Sequence, residues 1–153
     1  MRARFLILSL ATVLASCSHQ QTSPQQDVAA ECDRLYQAYL DGGQDEARRS
    51  LVDAIHVIES AKLSPKAEAH GLWLGYSRLF VLEKRAGNND VARAALVKAQ
   101  YWCLRKAELS GDSPAESIGY VEKLASEDGL TAFVDKWDKD HTAGRGARYT
   151  QRQ

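Results

Sequence analysis

The sequence has little of what several classes of protein require. Its 153 residues include three prolines and ten glycines, too few for a collagen-like or linker-like chain. Lysine and arginine total 20, as do aspartate and glutamate, so no net charge attracts the chain to nucleic acid, and we expect no nucleic-acid partner. No stretch alternates apolar and polar residues or clusters β-branched ones, as strands do. These absences favour one helical domain of ordinary globular composition.

The motifs of common catalytic and metal sites are also missing. The four histidines do not occur in the His-x-x-x-His or His-Glu-x-x-His spacing that places two ligands on one helix face. No P-loop, dinucleotide-binding glycine pattern or Gly-x-Ser-x-Gly elbow is present. We therefore expect a protein that is not an enzyme and that holds neither a metal ion nor a cofactor.

The N-terminal segment has the order of parts found in a secretory signal. Two arginines in the first four residues precede an apolar stretch of about 11 residues, far shorter than the roughly 20 that span a bilayer. The sequence Leu14-Ala15-Ser16-Cys17 then resembles the lipobox of bacterial lipoproteins. This resemblance implies cleavage of the signal peptide, residues 1–16, and acylation of Cys17, so that a lipid bilayer holds the chain through its acyl chains.

The residues after Cys17 indicate where the chain is anchored and where it folds. Ser18, rather than an aspartate, follows the cysteine, and in the lipoprotein sorting pattern this implies the outer membrane, facing the periplasm. Residues 17–27 are polar without apolar periodicity, as expected for a lipidated cysteine and a flexible tether. The α-helical domain is predicted over residues 28–141, and the arginine-containing tail 142–153 is predicted to be disordered.

The middle of the chain contains an internal repeat. Two segments of thirteen residues, 45 positions apart, have the same residue at seven aligned positions: Gly42–Ala54 and Gly87–Ala99. A repeat of this kind is a sign of stacked helical hairpins. In each copy, a glycine that can end a helix in the left-handed conformation precedes an aspartate that favours the start of the next helix. Apolar residues follow at i, i+4 and i+7, one stripe of a helix: Ala47, Leu51 and Ala54 in the first copy, and Ala92, Leu96 and Ala99 in the second.

The other helices are predicted from their capping residues and their apolar periodicity. They span about 28–40, 65–86, 113–127 and 130–140. Gly71 and Gly75, four residues apart on the long helix, offer a groove to a neighbouring helix. Together with the two copies of the repeat, these segments give about six helices in antiparallel hairpins.

The repeat resembles the tetratricopeptide repeat. The shared features are Gly-x-x-Asp-x-Ala, seen from Gly42 and again from Gly87, and the pair Leu74-Gly75 in the long helix. The period of 45 residues departs from the family's period of about 34, and Arg78 stands where the family has a tyrosine. The resemblance implies a TPR-like stack of hairpins over residues 28–141. A closed four-helix bundle with two added helices is the alternative.

Two cysteines remain besides the lipidated Cys17. An oxidising envelope compartment permits Cys32 and Cys103 to form a disulfide, and a closed bundle would make the helices that carry them neighbours. A Cα separation above about 7 Å forbids the bond. Two interpretations therefore stay open: a disulfide, or two buried cysteines that act as small apolar residues.

Stacked hairpins build extended grooves that bind peptides and proteins. Because aromatic side chains dominate the energetics of many interfaces, the candidates to line such a groove are Trp73, Tyr76, Tyr101 and Trp102. Helical spacing cannot place all four on one face, so some of them belong to the core. We expect an envelope lipoprotein that binds an unknown envelope protein or peptide and supports assembly. The alternatives are a periplasmic immunity or inhibitor lipoprotein, and an envelope protein that binds a small molecule or is catalytic.

Overall fold

The computed structural model describes residues 24–111 and 127–149, and within these ranges the fold is all-α, as predicted. Five helices occur there, and none of them combines the length and the apolar character that a bilayer crossing needs. The lipobox and the predicted helix 113–127, apart from its last residue, lie outside the described residues. The helices are α1 (Pro24–Asp41), α2 (Gln44–Ser60), α3 (Pro65–Arg85), α4 (Asn89–Ser110) and α5 (Glu127–Tyr149).

Local chemistry sets the connections between the helices. The Ser64 hydroxyl accepts a hydrogen bond from a first-turn amide of α3 at 3.3 Å, and Pro65 supplies the first helical residue. Gly87, between α3 and α4, has a φ of +79°, the left-handed conformation predicted for it. Gly42 does not adopt that conformation. Position 42 requires glycine because there is no room for a side chain: a Cβ would lie 2.6 Å from the Ala38 carbonyl oxygen.

Two helices are longer than the sequence predicts. α1 begins at Pro24 rather than Val28, and so includes the last residues of the predicted tether; proline suits this position because its φ is already helical. α5 (Glu127–Tyr149) continues into the tail that was predicted to be disordered. The Thr142 hydroxyl donates a hydrogen bond to the Asp138 carbonyl oxygen, which joins the first tail residue to the preceding helical turn.

α3 lies at the centre of the domain. It packs against α2, α4 and α5, and α1 packs against α2. No Cα atom of α1 lies within 8 Å of a Cα atom of α4, so α1 to α4 do not close into a bundle. The hairpins α1–α2 and α3–α4 stack through α2 and α3, which is the arrangement expected of a TPR-like stack rather than of the closed alternative.

The groove predicted on α3 is filled by α2. A Cβ at Gly71 would lie 2.9 Å from Cδ1 of Ile58, and a Cβ at Gly75 would lie 2.8 Å from Cγ1 of Ile55. These separations are shorter than a van der Waals contact, so larger residues would force the two helices apart. The two glycines therefore set the close approach of the hairpins.

The hydrophobic core surrounds α3 and extends to α5. Phe80 and Leu72 of α3 and Leu130 of α5 are among its most deeply buried large side chains. The rings of Trp73 and Phe133 stack with their centroids 5.1 Å apart, within the range of favourable aromatic pairs. α5 is thus held against α3 by apolar burial, and two other residues of α5, Trp137 and His141, line the pocket described next.

Candidate binding pocket around Arg78

A pocket lies where α1, α2, α3 and α5 meet. Its volume is about 220 Å³, which exceeds the roughly 150 Å³ of a cavity that holds benzene. Most of its lining is aliphatic or aromatic. The lining includes Leu35 and Tyr36 from α1, Leu51, Ala54 and Ile58 from α2, Leu74 and Arg78 from α3, and Trp137 and His141 from α5.

Arg78 is a charged residue in this largely apolar lining, and it is 8% exposed. Its Nε donates a hydrogen bond to Oδ1 of Asp138 at 2.9 Å. The guanidinium lies against two rings that are nearly perpendicular to each other. Its carbon is 4.6 Å from the Tyr36 centroid and 4.3 Å from the Trp137 centroid, the geometry of cation–π contacts. Its Nη2 is buried and has no hydrogen-bond partner among the described residues. One donor of the guanidinium is therefore left without an acceptor in the protein interior.

Asp138 holds the guanidinium in place and is itself fully engaged. Besides the bond from Arg78, it accepts hydrogen bonds from the Tyr36 hydroxyl at 3.1 Å and from the Tyr39 hydroxyl at 2.9 Å. Burial, followed by the neighbouring carboxylate of Asp138, raises the pKa of Tyr39 well above its usual value, so this hydroxyl stays protonated and remains a donor. The cluster of Tyr36, Tyr39, Arg78, Trp137 and Asp138, which we call the Arg78 cluster, is thus preorganised.

The pocket lining also includes three further polar residues, Cys32, Asp33 and His141. Nδ1 of His141 lies 2.9 Å from the Trp137 carbonyl oxygen, and the two rings stack. Burial, and then the charge of Asp33, raise the pKa of the Cys32 thiol. Because the thiolate is the reactive form of cysteine, Cys32 is a poor nucleophile at neutral pH.

The arrangement of side chains in this pocket suits the binding of a ligand. The pocket offers apolar contact, two aromatic walls and one buried hydrogen-bond donor, the combination typical of ligand sites. Within residues 24–111 and 127–149, no group of three or more histidine, cysteine, aspartate or glutamate side chains could hold a metal ion.

The structure does not bring the four predicted aromatic residues together in the pocket. Trp73 and Tyr76 are each 5% exposed and belong to the core. The Tyr76 hydroxyl donates to Oε1 of Glu59 at 2.8 Å and accepts from Nζ of Lys98 at 3.0 Å, which ties three helices together at the core boundary.

The other two predicted aromatic residues lie on α4. Tyr101 is 59% exposed, and Trp102 is half-buried against the core. Their rings meet edge to face with centroids 5.0 Å apart. Neither residue lines the Arg78 pocket, because α4 lies on the far side of α3 from α2 in this stack.

The two predicted disulfide partners are separate free thiols in the structure. Cys32 lies on α1 and lines the pocket, whereas Cys103 is buried on α4. Since no Cα atoms of α1 and α4 approach within 8 Å, the two residues are farther apart than the roughly 7 Å that a disulfide can span. Cys17 lies outside the described residues.

A second buried charge lies at the other end of α3, but its partners satisfy it. Both carboxylate oxygens of Glu83, which is 1% exposed, accept hydrogen bonds from Arg48 of α2. The Asn88 side chain, just before α4, also donates to Glu83 at 2.6 Å. This cluster joins the two hairpins, so its role is structural.

Sequence reasoning missed the Arg78 cluster, although one signal was present. Arg78 interrupts the apolar face of α3 between Leu74 and Leu79, at the position where the resembled repeat has a tyrosine. An arginine there requires a buried counter-charge, and Asp138 supplies it from the predicted helix 130–140. The 60 positions that separate the two residues hide their contact from local patterns.

Comparison with known proteins gave no relationship on which function could rest. No protein-family model, curated protein sequence or solved structure matches the chain.

Proposed function

We propose that this chain is a bacterial envelope lipoprotein, anchored by acyl chains on Cys17, whose helical hairpins bind another envelope protein or a peptide through the Arg78 pocket. The lipobox Leu14-Ala15-Ser16-Cys17 supports the anchoring, and Ser18 supports outer-membrane delivery facing the periplasm. The stacked hairpins support a recognition role, since this architecture presents surfaces between its layers.

The unpartnered Nη2 of Arg78 is the observation that carries the proposal. A buried donor without an acceptor costs about 1 to 3 kcal/mol of stability, and an aliphatic side chain would avoid this cost in so apolar a wall. A partner that supplies an acceptor recovers the cost and gains specificity at once. We take this guanidinium, in the wall of the pocket, as the group at which the partner is recognised.

Photo-crosslinking in intact cells tests the proposal. A photo-crosslinking amino acid replaces His141, which is exposed and lines the pocket. We expect irradiation to give a defined adduct with an envelope protein or peptide. The adduct should disappear in the Ala54→Phe variant, because the added ring fills the pocket. It should weaken in Arg78→Lys, which keeps the charge but loses the planar guanidinium that contacts both rings.

The matched control carries the same amino acid in place of Val97, which is 60% exposed on α4 and does not line the pocket. Any adduct from this position should be unaffected by Ala54→Phe. Thermal unfolding of each variant establishes that it is folded. If folded Ala54→Phe and Arg78→Lys proteins give the same adduct from position 141 as the unchanged protein, the pocket is not the binding site and the proposal fails.

A second candidate, small-molecule binding, is favoured by the volume of the pocket, about 220 Å³. Such a ligand would be enclosed by the same lining and would use the same donor. It would leave position 141 without a protein adduct, while extraction of the purified protein with organic solvent would release the ligand. A protein or peptide adduct at position 141 therefore supports the first candidate, and a small molecule released by organic solvent supports the second.

A further inference from the structure

We infer that the outer face of α4 binds a second copy of this chain, so that two α4 helices pair in antiparallel orientation. No residue of α4 lines the Arg78 pocket, so this contact is additional to the proposed function. Three features of α4 support the pairing: an apolar stripe that faces away from α3, the order of small and large residues along that stripe, and the charges at its two ends.

The apolar stripe lies on the exposed side of α4. Within the described residues α4 packs only against α3, and its buried residues lie on the side toward that helix. The opposite side carries apolar residues at i, i+3, i+7 and i+10, one stripe of a helix: Ala94, Val97, Tyr101 and Leu104. The last three are 60%, 59% and 36% exposed, and they are three of the five large apolar side chains exposed in the part of the chain that the structure describes. Single exposed apolar residues are ordinary, whereas a contiguous group of them marks an interaction surface.

The positions of the stripe are symmetric about Ala99. Val97 and Tyr101 each lie two positions from it, and Ala94 and Leu104 each lie five positions from it. When two such helices run antiparallel about this point, Ala94 faces the larger Leu104 of the second copy, and Val97 faces the larger Tyr101. Facing positions of unequal size interdigitate well. A parallel pair would set tyrosine against tyrosine and alanine against alanine, so the order of sizes favours the antiparallel pair, whose two-fold axis is the usual symmetry of a homodimer.

The charged residues at the two ends of the stripe are complementary in this pair. Asp90 and Arg93 lie at its N-terminal end, and Arg105 and Glu108 lie at its C-terminal end; all four are exposed. Antiparallel pairing brings opposite ends together, so each end of the pair holds two acidic and two basic side chains. Arg93 then lies within about one helical turn of Glu108 of the second copy. Charges at the edge of an interface favour one register and orientation over others.

The pairing surface is small. It has four apolar residues from each chain, against the roughly 20 to 30 residues a side of a stable interface. We therefore expect the pairing to depend on concentration and dilute protein to be monomeric. Covalent trapping in intact cells suits a contact of this kind, because it captures copies that associate and separate.

Photo-crosslinking between two tagged full-length copies tests the pairing. The copies are expressed in the same cells with different C-terminal tags, and a photo-crosslinking amino acid replaces Val97 in one of them. We expect an adduct that contains both tags. The matched control carries the same amino acid in place of Val91, which is 50% exposed on α4 but lies off the stripe, and it should give no adduct with both tags.

Two charge reversals test the antiparallel orientation. When both copies carry Arg93→Glu, or both carry Glu108→Arg, the yield of the adduct with both tags should fall about tenfold, because repulsion replaces attraction at both ends of the pair. When one copy carries Arg93→Glu and the other carries Glu108→Arg, each end again has two acidic and two basic side chains, and the yield should recover. In a parallel pair this mixture would leave both ends unbalanced. Circular dichroism establishes that each variant is folded.

The alternatives give distinct outcomes. An adduct from position 97 that lies within one chain, or that joins a different protein, would overturn pairing with a second copy, as would the absence of any adduct. An equal yield of two-tag adduct from position 91 would overturn the role of the stripe. Charge reversals that leave the yield unchanged, or a mixture that does not restore it, would overturn the antiparallel pair. None of these results affects the proposed function, which the crosslinking from position 141 decides.

Discussion

Nε of Arg78 on α3 donates a hydrogen bond to Oδ1 of Asp138 on α5 at 2.9 Å, and the two side chains are 9% and 14% exposed. The pair joins the central helix to the last described helix and at the same time orients the guanidinium in the pocket. A second pair between the same helices, Arg85 with Asp135, has both side chains 54% exposed. The two pairs form a matched comparison of a buried and an exposed contact.

We expect Asp138→Asn to lower the free energy of unfolding by about 3 to 5 kcal/mol, because it leaves a buried guanidinium without a counter-charge. Asp135→Asn should cost about 1 kcal/mol or less, as is usual for an exposed ion pair. Urea unfolding followed by circular dichroism measures both. Equal losses in the two variants would mean that the Arg78 pair is not a buried contact between α3 and α5.

The second prediction concerns acid sensitivity. Hydrogen bonds from Arg48, and then from Asn88, lower the pKa of Glu83 below its usual value. The unfolded chain therefore takes up this proton at a higher pH than the folded chain, and stability is lost as the pH falls from the ordinary carboxyl pKa through the lowered one. We expect Glu83→Gln to be less stable at pH 7 and to lose less stability than the unchanged protein between about pH 5 and pH 3.

Asp45→Asn is the control for this prediction. Asp45 pairs with the same arginine at 2.8 Å, but its side chain is 90% exposed. Urea unfolding at several pH values measures the free energy of unfolding, which should fall with pH in this variant as much as in the unchanged protein. If the free energy of unfolding falls equally in Glu83→Gln and Asp45→Asn, Glu83 does not carry the lowered pKa.

The third prediction concerns the contact between the hairpins. Gly75→Ala places a methyl group 2.8 Å from Cγ1 of Ile55, and such overpacking costs about 1 to 3 kcal/mol, partly offset by the roughly 1 kcal/mol by which alanine favours a helix over glycine. We expect a net loss in chemical unfolding. In Ile55→Ala the obstructing side chain is gone, so adding Gly75→Ala there should be neutral or stabilising. A loss of the same size in both backgrounds would contradict the packing of Ile55 on Gly75.

The fourth prediction separates core from surface among the aromatic residues. Trp73→Ala should cost about 3 to 5 kcal/mol, as expected for a large core side chain. Tyr101→Ala, at a position 59% exposed, should change stability by about 0.5 kcal/mol or less. Thermal and urea unfolding measure both. A large loss for Tyr101→Ala would show that its ring is covered in the native protein.

Much of the fold could be predicted because it depends on local patterns. The Ser64 cap, the turn at Gly87 and the apolar stripe that begins at Ala47 are each encoded within one helix and its ends. The groove of Gly71 and Gly75 was equally visible, since two glycines four residues apart share one helix face. The ends of α1 and α5 were predicted less well, because polar residues can extend a helix without adding to its apolar pattern.

The pocket could not be predicted in the same way. Its lining comes from four helices, and Tyr36, Arg78 and Asp138 meet across separations of 60 and 102 positions. The prediction of an aromatic binding groove included Trp73 and Tyr76, which are instead buried in the core. An arginine inside an apolar stripe was the better signal, since burial of its charge requires a partner from elsewhere in the fold.

The proposed membrane anchorage of the chain depends on acylation of Cys17. Intact-mass measurement of the protein purified from fractionated bacterial cells tests this directly. We predict a membrane-associated chain that begins at Cys17 and carries the mass of its acyl chains. An unmodified chain that still begins at Met1 and is recovered in the soluble fraction would contradict the proposed lipid anchor.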